Sequence, residues 1–193
     1  MMITIDKIYT ETYIINKSKF ISYAYPVFNE DECKKTLDVL RQKYSDATHI
    51  CFAYILDSPK IEKCSDDGEP SGTAGKPILE LIRKKKLSNI LVVVIRYFGG
   101  IKLGAGGLVR AYTTSGNMAL DSAKIIEVKD INKYMVEVSY DDVNRIKSLI
   151  LSLSGEIKSI EYGEKAKLEF LSEDISNLSN FSVKLIGSEK VCK

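Results

Sequence analysis

Glycine is distributed unevenly along this chain of 193 residues. Nine of its twelve glycines lie between Gly68 and Gly116. Glycine is needed where the backbone takes a positive φ, or where another group approaches the backbone closely. The segment must therefore contain several tight turns or close contacts, and loops of this kind on a rigid scaffold commonly carry function. We expect residues 65–112 to form the working surface of the protein.

The second half of this surface has the order of an anion-binding site, which is a buried strand, a glycine loop and a helix. The apolar run 90–98 predicts a strand covered on both faces, and residues 107–123 predict the helix. Backbone N–H groups of such a loop and of the first helical turn point at one place, where the helix dipole favours negative charge. A tight packing corner with solvated bases is the alternative interpretation. The predicted anion-binding residues are Arg96, Gly99, Gly100, Lys102, Gly104, Gly106, Gly107 and Arg110, together with Lys76.

The first half of the surface belongs to a polar loop predicted at residues 58–74, and its residues from Ser65 onward carry three carboxylates, Asp66, Asp67 and Glu69. These carboxylates have the oxygen chemistry that Mg²⁺ prefers. The alternative is a polar turn in which the Asp side chains cap backbone N–H groups, and we favour this second interpretation. No metal site is therefore predicted. The residues assigned to this part of the face are Ser65, Asp66, Asp67, Gly68, Glu69, Pro70, Ser71, Gly72, Thr73 and Gly75.

Neither a nucleotide cofactor nor a catalytic centre is predicted. A dinucleotide-binding loop needs G-x-G-x-x-G, and the glycines at 104, 106 and 107 lack the last spacing. The G-x-x-x-x-G-K-[ST] phosphate loop is also absent. His49 is the only histidine, so sites that need two are excluded, and Ser71 and Cys64 have no evident activating base. We expect a binding protein without a cofactor rather than an enzyme.

Positive charge is concentrated in one stretch of the sequence, although the net charge is only +2. No acidic residue lies between Glu80 and Asp121, and such segregation creates a local positive potential. Within this window we predict candidate phosphate contacts at Arg83, Lys84, Lys85 and Lys86, in addition to Arg96, Lys102 and Arg110. Candidate rings for stacking on nucleic-acid bases are Tyr97, Phe98 and Tyr112.

The remaining composition is that of a soluble globular protein. Hydrophobic residues make up 45% of the chain, and no apolar run approaches the roughly 18 residues that a membrane-spanning helix needs. The four cysteines have no CxxC spacing, which is typical of free thiols in a reducing compartment. The first residues lack the apolar region of a signal peptide. We expect a cytoplasmic protein that does not associate with membranes, and the oligomeric state is not predicted.

Patterns of hydrophobicity predict an α+β protein with two domains, residues 1–129 and 130–193. In the first, the predicted elements are a hairpin (9–15 and 20–27), a helix (30–44) capped by Asn29, a strand (49–56), a helix from Pro77, the strand 90–98, the helix 107–123 and a strand (124–128). In the second, a strand (134–140), a helix (141–154), two strands (157–162 and 166–170), a helix (172–186) and a last strand (189–192) follow. This β-α-β-β-α-β order predicts a ferredoxin-like domain.

Four stretches of the chain resemble the IMPACT/YigZ family. They are Ser18-Lys19-Phe20, Asp46-Ala47-Thr48-His49, residues 65–75 and residues 96–112. The last two are long and nearly contiguous with the family signature, and the resemblance covers the first domain well. The chain departs from the family at Cys64, where a basic residue usually precedes the Ser-Asp-Asp-Gly-Glu-Pro run.

The resemblance implies a fold and a cellular setting. The first domain is expected to adopt a β-α-β fold similar to ribosomal proteins and to domain four of elongation factor G. The second is expected to resemble another, ferredoxin-like, domain of that factor. Eukaryotic relatives regulate translation, and nucleic-acid or ribosome binding is the usual suggestion for bacterial members.

Three hypotheses about function follow from the sequence. In the first, a translation-linked, non-catalytic protein engages RNA or the ribosome through the basic glycine-rich face. In the second, the face binds a small phosphorylated ligand, with a metal held by the carboxylates. In the third, it docks an acidic protein partner. We favour the first because both the charge window and the glycine loops point to a polyanion.

Overall fold

The computed structural model describes residues 2–192 and shows an α+β protein with two antiparallel sheets. The chain divides into two compact units, residues 1–127 and 128–193. The elements of the first unit are β1 (Met2–Ile5), β2 (Tyr9–Ile15), β3 (Ser18–Pro26), α1 (Glu30–Lys43), β4 (His49–Asp57), β5 (Lys60–Ser65), α2 (Gly75–Lys84), β6 (Ile90–Tyr97) and α3 (Gly104–Asp121).

Strand β6 is at the centre of a five-stranded sheet with the order β2-β3-β6-β4-β5. Helices α2 and α3 pack on one face of this sheet, and α1 packs on the other. The burial predicted for residues 90–98 is confirmed from Ile90 to Arg96, whereas Tyr97 is half-buried and Phe98 is exposed and follows the strand. The predicted hairpin is also confirmed, and Asn16 and Lys17 take positive φ at its two-residue turn. Asn29 accepts the predicted N-cap hydrogen bond from the backbone of Glu32.

Four features of the first unit differ from the sequence predictions. No strand is predicted at the position of β1. Residues 60–65 form the edge strand β5, although we predicted a loop; the strand alternates poorly because it is largely exposed. Helix α2 begins at Gly75 rather than at Pro77. Helix α3 begins at Gly104 rather than at residue 107, so much of the predicted glycine loop is the first turn of a helix.

The second unit contains four paired strands and one helix. Its elements are β7 (Ile125–Val138), α4 (Val143–Ser152), β8 (Glu156–Tyr162), β9 (Ala166–Ser172) and β10 (Val183–Cys192), with short 3₁₀ turns at Tyr140–Asp142 and Ser176–Leu178. Antiparallel pairing gives the order β10-β7-β9-β8. The two strands predicted at 124–128 and 134–140 are one continuous strand, β7, which begins in the first unit.

The helix predicted at 172–186 is wrong, and with it the full β-α-β-β-α-β order. This segment is rich in Ser and Asn, whose side chains compete with helical hydrogen bonds by bonding to nearby backbone groups. Asp174 accepts a hydrogen bond from the backbone N–H of Ser176 at 2.8 Å, which closes a turn instead. The chain then continues as β10. The similarity to elongation factor G stays a prediction.

Among residues 2–192, no helix combines the length and the apolar character that crossing a bilayer requires.

Candidate functional site

The surface contains two glycine clusters, residues 65–75 and residues 96–112. The first glycine cluster folds around the carboxylate of Asp66. This carboxylate accepts hydrogen bonds from the backbone N–H groups of Gly72 at 2.8 Å, Ala74 at 3.0 Å and Gly75 at 2.8 Å. Ala74 is the N-cap residue of α2, so Asp66 caps the helix from eight residues away. Burial raises the pKa of Asp66, but the three backbone hydrogen bonds outweigh burial, and the pKa lies below its ordinary value. The predicted capping role of the Asp side chains is confirmed.

Replacing Asp66 with asparagine is expected to lower the free energy of unfolding at neutral pH by about 2 kcal/mol, because a charged cap with three donors is lost. The pKa of Asp66 is depressed in the folded state, so its charge stabilises the protein above the ordinary pKa of 3.8. That contribution disappears as the pH falls through the folded-state pKa. Urea denaturation from pH 7 to pH 3 checks this, since the difference between wild type and Asp66→Asn should shrink below pH 3.8. A difference that does not change with pH contradicts the assignment.

Asp67 ties the same loop to the start of strand β4. Its carboxylate accepts a hydrogen bond from the backbone N–H of Ile50 at 2.6 Å, and its carbonyl oxygen lies 2.9 Å from His49 Nδ1. Both aspartates are thus engaged by protein donors. In the described part of the chain, no three acidic, His or Cys side chains come together as a set of metal ligands.

Glu69, the third carboxylate of the loop, is buried and paired with Arg96. Glu69 Oε1 accepts hydrogen bonds from Arg96 Nη1 at 2.6 Å and from the Tyr112 hydroxyl at 2.7 Å. His49 Nε2 lies 3.8 Å from the same oxygen. This arrangement brings together the first cluster, the end of β6 and helix α3, so the two glycine clusters meet at Glu69.

The guanidinium of Arg96 lies close to two aromatic rings. Its central carbon lies 5.4 Å from the ring centroids of both Phe20 and Phe98. Arg96 is only 5% exposed, yet within the described residues its side chain makes a single hydrogen bond, the one to Glu69. Its Nε is buried without a partner. Arg96 was predicted as an anion-binding residue, and it lies in a pocket wall rather than on the open surface.

Tyr112 and Cys51 close the interior side of this network. Burial, reinforced by the neighbouring Cys51 and by Glu69, raises the pKa of Tyr112 far above its usual value. Burial also raises the pKa of the Cys51 thiol to about 12, although a hydrogen bond with Tyr112 opposes the shift. The predicted stacking role of Tyr112 is wrong, because its side chain is fully buried and its ring packs edge-on against Phe20. Neither group is a nucleophile at neutral pH.

The other two predicted stacking residues lie on opposite sides of the sheet, because side chains alternate along the extended chain at the end of β6. Phe98 is 45% exposed and lies on the α3 side, next to Arg96. Tyr97 lies on the α1 side, where its hydroxyl donates to Asp46 Oδ1 at 2.8 Å. The two rings therefore cannot contact the same base, and only Phe98 belongs to the site.

The loop after β6 is fixed against the β2–β3 turn. The backbone N–H of Gly99 donates to Ser18 Oγ at 3.2 Å, and that of Phe98 donates to Thr48 Oγ1 at 3.0 Å. A Cβ at Gly99 would overlap the backbone of Lys17 and Ser18. Gly100 and Gly104 take positive φ with open space around them, so they shape the loop.

Helix α3 begins at the site without a side-chain cap. Leu103 is the N-cap residue and makes no capping hydrogen bond, and the first turn holds no acidic residue. Lys102 is exposed and immediately precedes the cap. A Cβ at Gly106 would lie 3.9 Å from Arg110 Nη1, so this guanidinium lies over the first turn. Gly107 also lies in this turn.

A pocket of 410 Å³ lies in front of this helix end. Both glycine clusters contribute to its walls. Glu69 and Pro70 come from the first cluster, and several residues between Arg96 and Leu108 come from the second. The structure thus brings together the predicted residues Arg96, Lys102 and Gly104, and it adds Thr48, His49 and Leu108. Lys76 lies elsewhere, in a groove between α2 and α3 that also contacts Gly72, Lys84 and Lys85. Ser71 is exposed, and Thr73 is buried and donates to the carbonyl of Pro70 at 2.6 Å.

The acid-free window of the sequence is not acid-free in space. Arg83 forms ion pairs with Glu62 and with Glu80, and Lys85 pairs with Asp121 at 2.5 Å. Their positive charges are thereby compensated, which weakens the prediction of phosphate contacts at these two positions. Lys84, Lys86, Lys102 and Arg110 are exposed and form no ion pair with the described residues.

Some residues of the site were not found from the sequence. Phe20, Ser18 and Thr48 support Arg96 and the loop after β6, and they come from distant strands or turns. The strand register places Phe20 and His49 on either side of Arg96. The only signal was their presence in the short stretches that resemble the family, which did not indicate a role.

Comparisons with known proteins agree on one family. The family model described as Impact N-terminal domain matches residues 16–120. The chain is 38% identical over 162 residues to the IMPACT family member YvyE of Bacillus subtilis, covering 83% of this chain and 75% of that protein. It is 31% identical over 188 residues to the IMPACT family member YigZ of Escherichia coli, covering 91% and 92%. A crystal structure of a hypothetical protein is similar over 97% of both chains, with a TM-score of 0.70 and 29% identity.

Proposed function

Because the chain belongs to the IMPACT family, whose Impact N-terminal domain model matches residues 16–120, we propose that it is a translation-linked binding protein. It engages RNA, free or in the ribosome, through the face where its two glycine clusters meet. The family resemblance supports the translational setting, and the electrostatics of the face supports the ligand. The proposed role is binding without a catalytic step.

The observation that carries the proposal is the placement of cations at the positive end of helix α3. Lys102 precedes the helix, and the Arg110 guanidinium lies over its first turn. Cations at a helix N-terminus are unfavourable by roughly 0.3–1 kcal/mol each, whereas a phosphate at the same place is stabilised. An arrangement that is unfavourable in the free protein and favourable with an anion is the arrangement expected of a binding site.

A polymer suits this face better than a single small ion does. Exposed bases without acidic partners among the described residues occur at the α3 end, Lys102 and Arg110, and also at the end of α2, Lys84 and Lys86. Separate cations of this kind each match one phosphate of a repeating backbone. The exposed ring of Phe98 lies beside the first pair and offers a stacking surface for a base.

The double substitution Lys102→Ala and Arg110→Ala is expected to weaken binding of a fluorescein-labelled hairpin RNA about tenfold or more. Each lost phosphate contact also removes nearly one unit from the slope of log K against log salt, so the slope should fall by about 2. Fluorescence anisotropy from about 50 to 200 mM salt measures both quantities.

The matched control is Lys34→Ala with Lys35→Ala. Both lysines are exposed on α1, which packs on the opposite face of the sheet, and the change in net charge is the same. The control should leave the affinity within about twofold. An equal loss in both double variants would mean that only the net charge matters, and no RNA binding by the wild type at low salt would overturn the proposal.

A further inference from the structure

Arg96 has hydrogen-bonding capacity that the residues described by the structure do not fully use. A guanidinium carries five N–H donors. Arg96 is 5% exposed, and among residues 2–192 only its Nη1 has a hydrogen-bond partner, Glu69. Nε is buried and has no hydrogen-bond partner among these residues, and the ring centroids of Phe20 and Phe98 each lie 5.4 Å from the central carbon of the group. Buried donors without partners are rare in proteins, and their occurrence in a pocket wall indicates a ligand that carries acceptors.

The unsatisfied N-terminus of α3 lies on the same pocket. Leu103, Gly104 and Ala105 line the pocket together with Arg96. The first N–H groups of a helix have no partner within the helix, and the N-cap residue Leu103 offers them no side-chain acceptor. The pocket therefore has two independent sets of free donors, one from a helix end and one from a buried guanidinium.

The geometry points to a subsite for a phosphate monoester, held between the Arg96 guanidinium and the first turn of α3. A guanidinium binds two phosphate oxygens in a fork, and backbone N–H groups take the third. The volume of 410 Å³ leaves room for the group that is esterified to the phosphate, and Pro70, Phe98 and Leu108 provide apolar walls for it. This inference rests on the proposed function and assigns a distinct ligand end to the same face.

The depth of Arg96 favours a terminal phosphate over an internal one. An internal phosphodiester carries a sugar on both sides, and both sugars would have to enter the pocket with it. A monoester has only one organic branch, which can leave through the opening. It also presents three terminal oxygens instead of two, which suits the two donor sets. The source is either the phosphorylated end of an RNA or a free nucleotide.

The test uses substitutions at Ala105, which is exposed and lines the pocket. Ala105→Asp places a carboxylate at the uncapped helix end, where it stabilises the helix but repels an anion. Ala105→Asn has nearly the same size without the charge. Isothermal titration calorimetry is performed with inorganic phosphate, uridine 5′-monophosphate and uridine. The two RNA probes are a decamer with a 5′-phosphate and the same decamer with a 5′-hydroxyl.

We expect uridine 5′-monophosphate to bind at least tenfold more tightly than uridine. This preference should be lost in Ala105→Asp and kept within about threefold in Ala105→Asn, while thermal unfolding of Ala105→Asp occurs at the same or a higher temperature. If RNA ends are the source, the 5′-phosphorylated decamer binds at least tenfold more tightly than the 5′-hydroxyl decamer. If free nucleotides are the source, only the mononucleotide shows the preference. Either result supports the subsite.

Two results would overturn the subsite. One is equal binding of phosphorylated and unphosphorylated probes. The other is an equal effect of Ala105→Asp and Ala105→Asn. Failure of the proposed function is distinguishable, because RNA binding that depends on Lys102 and Arg110 but ignores Ala105→Asp and the 5′-phosphate removes the subsite and leaves the basic face. A mononucleotide preference without any RNA binding supports the subsite and overturns the proposed RNA-binding function.

Discussion

Replacement of Glu69 by glutamine is expected to lower the free energy of unfolding by about 3 kcal/mol or more. The two side chains have nearly the same size, so the substitution leaves no cavity. Within the described residues it removes the one negative charge that is hydrogen-bonded to Arg96, and Arg96 is 5% exposed. Removing one partner of a buried ion pair is strongly destabilising because the other charge stays buried without compensation. Urea denaturation followed by circular dichroism measures the effect.

A double-mutant cycle separates this explanation from a general loss of packing. Combining Glu69→Gln with Arg96→Met removes both charges, so the double variant should be more stable than the sum of the two single effects predicts, by at least about 1 kcal/mol. The surface control is Asp38→Asn, which breaks an exposed pair with Arg41 at 3.4 Å and should change stability by less than about 1 kcal/mol. A loss below about 1 kcal/mol for Glu69→Gln would show that Arg96 has another compensating partner.

Elements with a strong local signal were predictable from the sequence. The apolar run of β6 and the cap at Asn29 depend on neighbours within a few residues, and both are found in the structure. The helix predicted at 172–186 is wrong for a reason that is also local. Its Ser and Asn residues favour turns over helix. Of the apolar residues of this segment, Leu178 is buried in the 3₁₀ turn, and those from Val183 onward join β10.

The site was only partly predictable because its decisive contacts join distant residues. Glu69 lies 27 residues from Arg96 and 43 residues from Tyr112 in the sequence. The sequence predicted that Arg96 binds an anionic ligand, but only the fold shows that Arg96 is buried and paired with Glu69. In the same way, Arg83 is hydrogen-bonded to Glu62, which lies 21 residues earlier in the sequence. Glu62 is outside the sequence window that holds no acidic residue. Charge counted along a chain therefore overestimates the positive potential of its folded surface.

Glycine clustering predicted the position of the site more reliably than charge did. Where another part of the backbone occupies the place of a Cβ, no residue other than glycine fits. Gly75 shows this, since a Cβ at this position would lie 2.7 Å from the backbone of Ser65. The positive φ of Gly100 and of Gly104 has the same effect on residue choice. Four of the nine clustered glycines, those at 68, 72, 100 and 104, take positive φ. The clustered glycines thus identified two loops that contain positions where a side chain would clash or be strained. The pocket lies between these loops.

Replacement of Gly99 by alanine is expected to be among the most destabilising single changes in the first unit, with a loss of more than about 3 kcal/mol. The added Cβ would overlap the backbone of Lys17 and Ser18, and backbone atoms at a two-residue hairpin turn cannot rotate away as a side chain can. Relief requires the loop after β6 to separate from the β2–β3 turn, which breaks the hydrogen bond from the Gly99 N–H to Ser18. Chemical denaturation of purified variants provides the measurement.

The matched control for Gly99→Ala is Gly106→Ala, which is expected to have the opposite sign. Its nearest neighbour would be the mobile end of Arg110 at 3.9 Å, and the residue lies in a helix. Alanine in a helix is more stable than glycine by roughly 0.5–1 kcal/mol. If both substitutions have small effects, the close approach at Gly99 is relieved by a small backbone shift, and the loop is not rigidly fixed to the hairpin. If only Gly99→Ala causes a large loss of stability, the contact with the hairpin fixes the loop that leads into α3. The same backbone contact then determines where the helix begins.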